Sequence, residues 1–215
     1  TFARCAGVEP GDADALRALT GAEIIAAQAA AGMELFATVG TMPFHPCVDG
    51  EVLPLSWLDA ARSGTNPVPV IIGTCRDEMD LFAMFDPEAS SLTDERLRSR
   101  FDVVGGDADA LVAAYASTGA TEPPEVWRRA NTDIAMWLPA VRIAEARAEH
   151  GPVWMYRFDW EAASPTMGAP HGVDIPFAFS TIDVDGWDSF VDDPDAAAGL
   201  ARTIGRSWTT FARDG

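Results

Sequence analysis

Pro67-Val68-Pro69-Val70-Ile71-Ile72-Gly73 runs directly into Thr74-Cys75-Arg76-Asp77-Glu78, and this stretch decides the fold. Its first part is short and wholly apolar, the pattern of a strand buried on both faces of a parallel sheet. A second run, Pro152-Val153-Trp154-Met155-Tyr156-Arg157-Phe158, repeats the pattern with aromatic and β-branched residues. Between the two, residues 78–85, 94–101 and 107–116 read as helices. Residues 124–150 give the strongest periodicity: Trp127, Ala130, Ile134, Trp137, Val141, Ala144 and Ala148 recur in steps of three and four. That spacing marks one apolar face, and its tryptophans read as core. Pro139 is expected to kink this helix. Strand, helices, strand in this order place the chain in the α/β class.

Working outward, Thr20-Gly21-Ala22-Glu23 fits a capping box, and the Ala-rich helix it opens is expected to stop near Gly32. Residues 56–62 read as a short helix. A last amphipathic helix from about Asp195 carries Leu200, Ile204, Trp208 and Phe211 on one face. Residues 40–54 and 162–172 form the irregular loops, and no internal repeat is visible. Two strands are a poor basis for independent stability. Several apolar helix faces need a larger sheet to cover, so the chain reads as part of something bigger.

Composition narrows the function classes. Hydrophobic residues make up 48% of 215, which excludes compositional disorder. The net charge is −18 and every basic residue other than histidine is an arginine, so nucleic acid and anionic lipid are not expected partners. No apolar run reaches spanning length, and no membrane span is expected. Abundant Ala, Arg, Asp and Gly without Lys points to a GC-rich, bacterial genome, with the cytoplasm then the favoured location. No signal peptide is visible at Thr1-Phe2-Ala3-Arg4. Cys5, Cys47 and Cys75 have neither metal spacing nor an even count for a disulfide framework. No cofactor and no metal are expected.

Functional groups of doubly wound sheets gather in loops beyond the C-terminal ends of strands. Here the first such loop carries Asp77-Glu78, and the second ends in Gly168-Ala169-Pro170-His171-Gly172. A carboxylate that orients an imidazole, which in turn takes a nucleophile's proton, is the logic of a hydrolytic triad. The order acid then histidine is that of α/β-hydrolases. Each signal has an ordinary explanation: an Asp-Glu pair commonly begins a helix, and a lone loop histidine is commonly structural. His45 reads as a surface or packing residue, and His150 as the polar end of the long helix. Asp174 reads as the N-cap of a short helix at 175–179 in preference to a group supporting His171. The acidic residues between 183 and 195 read as a solvated loop that could hold a cation weakly.

Phe44-His45-Pro46-Cys47-Val48-Asp49-Gly50, the stretch from Val68 to Glu78, Pro152 to Trp160, and Gly168 to Phe179 together resemble type-B carboxylesterases, the family of para-nitrobenzyl esterases and cholinesterases. The similarity covers almost the whole chain. It implies an α/β-hydrolase fold, of which residues 1–215 are the C-terminal part of a single domain. That part holds the last strands of the central sheet and their packing helices, incomplete without an upstream portion. It also implies Glu78 as triad acid and His171 as triad base, with Asp77 the fallback acid. Met79 stands where the family usually has glycine. The sequence contains no G-x-S-x-G elbow and no Gly-rich oxyanion segment; in this family both lie upstream of the acid. The expected function is therefore a serine carboxylesterase that hydrolyses a small-molecule ester through an acyl-enzyme, with nucleophile and oxyanion donors supplied by its upstream half. The alternatives are a catalytically inactive cholinesterase-like interaction module and an inactive fragment. The retained Glu78 and His171 argue against the first, since a pure binding module needs neither.

Overall fold

The computed structural model describes residues 1–39, 44–65, 67–164 and 166–215, with the backbone alone over 36–39. The chain forms two compact units, Thr1–Ser56 and Trp57–Gly215. The first holds helices α1 (Phe2–Cys5), α2 (Ala13–Ala18) and α3 (Gly21–Val39). The capping box forms as expected: the Glu23 carboxylate accepts from the Thr20 N–H at 2.8 Å, and Thr20 Oγ1 accepts from the Glu23 N–H at 3.3 Å. The stop at Gly32 does not occur. α3 runs on to Val39, because Gly32 keeps a helical backbone and lacks the positive φ of a helix-ending glycine. The irregular stretch expected at 40–54 lies partly outside the described residues.

The second unit contains both expected strands, the first shifted two to three residues along the chain and the second ending at Phe158 as expected. β1 (Val70–Cys75) and β2 (Val153–Phe158) pair in parallel, with Val70 opposite Val153 and Cys75 opposite Phe158. The prolines explain the late start, since Pro67 and Pro69 have no N–H to give to a ladder. Burial on both faces is not observed. Trp154 of β2 is 45% exposed and Met155 36%, and each strand has one sheet neighbour among the described residues. Gly73 serves this pairing, because a Cβ there would lie 2.1 Å from Tyr156 Cζ.

α4 (Trp57–Ser63) precedes β1, and α5 (Asp80–Ala83), α6 (Asp94–Val103), α7 (Ala108–Ser117) and α8 (Pro123–Thr132) follow it. The helix expected at 78–85 is only the four residues of α5, since Glu78 and Met79 are used in the turn that leaves β1. α6, α7 and α8 close around Leu97, Phe101, Val126 and Ala130, with the Arg100 guanidinium over the Trp127 ring. The long helix runs from α8 through a π-helical turn, Asp133–Trp137, into α9 (Leu138–Ala148). Pro139 therefore meets a widened turn. A proline lacks the N–H and crowds the carbonyl four residues back, and a π turn relieves that conflict without ending the helix. α9 packs on both strands. His150, just past its end, has Nε2 2.7 Å from the Arg62 carbonyl, to which it donates as the protonated nitrogen.

α10 (Ile175–Ala178) and α11 (Pro194–Asp214) complete the unit. The expected stripe of α11 faces β2: Trp208 packs edge-on to Tyr156 and Phe211 to Trp154. A core of Cys75, Phe158, Ala169, Val173 and Phe177 lies where the ends of both strands meet the loop carrying His171. No described helix is long and apolar enough to cross a membrane.

Candidate active site

β1 and β2 are parallel and in register to their ends, so the loops leaving Cys75 and Phe158 emerge side by side. The first loop turns at once. The Asp80 N–H donates to the Asp77 carbonyl at 3.0 Å, and the Met79 N–H to Thr132 Oγ1 at 3.1 Å, which ties the turn to the end of α8. The turn folds the Glu78 side chain back over the strand end. Its Oε1 accepts from the Cys75 N–H at 2.6 Å, and its Oε2 lies 2.6 Å from His171 Nδ1. Nδ1–H donates to this carboxylate, which leaves Nε2 as the nitrogen for work. The Glu78 side chain is 6% exposed and that of His171 47%. A buried acid behind a half-exposed imidazole can orient the ring and stabilise its charged form while the ring meets a substrate. Phe82, one turn after Glu78, packs against the His171 ring with centroids 5.4 Å apart.

The hydrogen bond to Glu78 holds the His171 pKa above the ordinary histidine value, outweighing the opposite effect of burial, and the nearby Asp174 charge adds to it. Cys75 is adjacent but is no nucleophile. Burial first, and the charges of Asp174 and Glu78 after it, push its thiol far up and keep it protonated. Asp77, the fallback acid, is turned away from His171: its Oδ2 accepts from the Ala169 N–H at 2.9 Å and from Arg76 Nε at 2.8 Å. Asp174 stands at the N-cap position of α10 but makes no side-chain cap. Its carboxylate accepts from the Tyr156 hydroxyl at 3.3 Å, linking β2 to the loop after His171. The expectation of a cap fails because a hydroxyl donor from the neighbouring strand competes for the carboxylate, something local sequence does not display.

His45 is exposed and belongs to the other compact unit. Of the acidic residues of 183–195, Asp183, Asp185 and Asp188 lie in turns and Asp195 in α11, and no group of three or more His, Cys, Asp or Glu among the described residues is arranged to hold a metal. Sequence reasoning missed Phe82, Thr132 and the Asp77–Ala169 link. Phe82 alone had a local signal, as the residue one helical turn beyond the acid. A groove of about 960 Å³ lies between β2 and α11 and is lined by Trp154, Tyr156, Trp208 and Phe211, not by His171. It is an apolar packing face, whereas Glu78 and His171 meet beyond the strand ends.

Two parallel strands, whose C-terminal loops carry a buried acid bonded to an accessible histidine, define the class as α/β-hydrolase. The chain belongs to the carboxylesterase family, whose sequence pattern matches residues 2–215. It is 28% identical over its whole length to the para-nitrobenzyl esterase of Bacillus subtilis, covering 43% of that protein. It is 30% identical over 81% of its length to the phenmedipham hydrolase of Pseudarthrobacter oxydans, covering 36% of that enzyme. Its fold superposes on a carboxylesterase from Geobacillus stearothermophilus with a TM-score of 0.81 and 30% identity, over 100% of this chain and 44% of that one. The chain thus spans less than half the length of these relatives.

Proposed function

We propose that this chain supplies the acid and the general base of a serine carboxylesterase acting on small-molecule carboxylic esters. The observation that carries the reading is the 2.6 Å bond from His171 Nδ1 to the buried Glu78 carboxylate. In this reading a serine attacks the ester carbonyl as His171 Nε2 takes its proton. The same nitrogen returns the proton to the departing alcohol, and a second cycle with water releases the acid from the acyl-enzyme. Glu78 keeps the proton on Nδ1 throughout. The 215 residues contain no G-x-S-x-G elbow and match only part of the relatives' length. We therefore assign the serine and the oxyanion donors to polypeptide that also continues the sheet beyond β1 and β2. Both compact units are read as parts of one hydrolase domain, because the family match runs through them.

The test is the His171→Ala variant of the complete enzyme, assayed with a chromogenic ester. Turnover is expected to fall by at least about 10²-fold, the usual contribution of a positioned base, without loss of folding. Near-normal turnover would assign the proton transfer to another group.

A further inference from the structure

Glu78 and His171 are 93 residues apart in the chain, and their bond requires the two loops to keep a fixed offset. The strand ladder ends at Cys75 opposite Phe158 and cannot impose that offset. Beyond the ladder Arg76 reaches across to the Phe158 carbonyl and the Glu161 carboxylate, each at 2.9 Å, and the contact nearest both Glu78 and His171 is made by Asp77. Asp77 precedes Glu78, and its N–H donates to the Ala169 carbonyl at 2.9 Å. Its Oδ2 accepts the Ala169 N–H, also at 2.9 Å. Both backbone groups of Ala169, two residues before His171, are thereby held by one residue next to the acid.

The surroundings are built around this carboxylate. Arg76 Nε donates to the same Oδ2 at 2.8 Å, and Arg128 Nη1 of α8 stands 3.5 Å from Oδ1. The side chain is 15% exposed. Gly168 is at φ +56°, and a Cβ there would lie 2.2 Å from Asp77 Oδ2, so only glycine lets the loop come this close. Ala162 N–H closes the loop from its other side on the Gly168 carbonyl at 2.7 Å. Asp77 shows no contact with the imidazole.

We infer that Asp77 is a positioning residue, a two-point clamp on Ala169 that sets the offset between the acid loop and the histidine loop and so holds His171 Nδ1 on Glu78. The inference rests on the triad reading for its catalytic consequence, but the clamp has a readout of its own. In the complete enzyme, Asp77→Ala removes the carboxylate that receives the Ala169 N–H. The His171 pKa, followed by NMR titration, is expected to drop toward the ordinary ~6.5. Loss of alignment by about 1 Å costs roughly 10²-fold, so kcat is expected to fall about 10–100-fold while KM stays within about twofold. Asp77→Asn keeps one acceptor oxygen and is expected to restore both quantities to within severalfold of the parent. Should Asp77→Ala fail to fold, Gly168→Ala applies the same lesion by pushing a methyl group against Oδ2, with the same expected signature. An unchanged His171 pKa in Asp77→Ala or Gly168→Ala, or an Asp77→Asn variant as impaired as Asp77→Ala, overturns the clamp. Undiminished turnover by His171→Ala would instead overturn the triad reading, and the NMR titration would still decide the clamp.

Discussion

At His171 the direction of the pH response follows from a single bond. Glu78 stabilises the imidazolium, so the folded pKa lies above the ordinary value of 6.5. Stability from this pair is fully present below about 6.5 and is lost as pH rises through the folded pKa. In the proposed reaction the pH dependence runs the other way, because a general base works only when neutral. In the complete enzyme, kcat/KM is expected to fall as pH drops through a value above 6.5. Glu78→Gln removes the negative charge that holds this value up and offers an amide that does not enforce the tautomer. Its acidic limb should move to lower pH, and its rate on the alkaline plateau should fall by on the order of 10⁴-fold, the effect of the equivalent acid-to-amide change in a serine protease. A pH–rate profile of parent and variant checks both. An unmoved limb would mean that Glu78 does not control the titrating group.

At the scale of elements, the acid turn is braced from α8 by a costly pair. Asp80 opens α5, its side chain is 2% exposed, and Arg128 Nη1 donates to its Oδ2 at 2.6 Å. Its Oδ1 is buried and finds no hydrogen-bond partner among the described residues. Desolvation therefore exceeds the attraction of Arg128, and the carboxyl is pushed up to about 6. Between about pH 4 and 6 the folded chain binds more protons here than the unfolded chain, so this residue lowers stability as pH rises. A shift of about two pKa units corresponds to on the order of 3 kcal/mol. Asp80→Asn has no such titration. Relative to the parent, its unfolding free energy should improve by on the order of 2–3 kcal/mol between pH 4 and pH 7, read from urea unfolding of the complete protein. A difference that stays flat with pH would show that Asp80 is as well solvated as an ordinary carboxylate.

Over the whole molecule, the two-stranded sheet leaves apolar surface uncovered. Trp154, Met155, Ile175 and Phe179 are 45%, 36%, 45% and 76% exposed. Each large side chain left in water forgoes about 1.5–3 kcal/mol of burial, against a net domain stability of about 5–15 kcal/mol. Residues 1–215 expressed alone are expected to unfold without a sharp cooperative transition and to show no hydrolysis of a chromogenic ester. Calorimetry and the ester assay test this together. A monomeric, cooperatively folding and active product would refute the assignment of the nucleophile to other polypeptide.

The sequence by itself determined the elements and the chemistry available to them. Residues 67–73 and 152–158 read as strands, close to the observed Val70–Cys75 and Val153–Phe158, because an apolar run between turn residues is a local property. The Thr20–Glu23 box and the Leu200–Phe211 stripe were legible for the same reason, since their partners lie within one or a few helical turns. The loop positions of Glu78 and His171 were also legible, because each follows a recognisable strand. Only the tertiary structure decided what crosses between distant segments. It brought Nδ1 of His171 onto Glu78, gave Asp174 to Tyr156 instead of a helix cap, and turned Asp77 toward Ala169. The structure also shows the helix running past Gly32 and a π turn before Pro139. A carboxylate accepts whichever donor the fold brings within about 3 Å. In these three cases the donor lies 18 to 93 positions away, and its approach is fixed by strand register and packing and leaves no local trace in the chain.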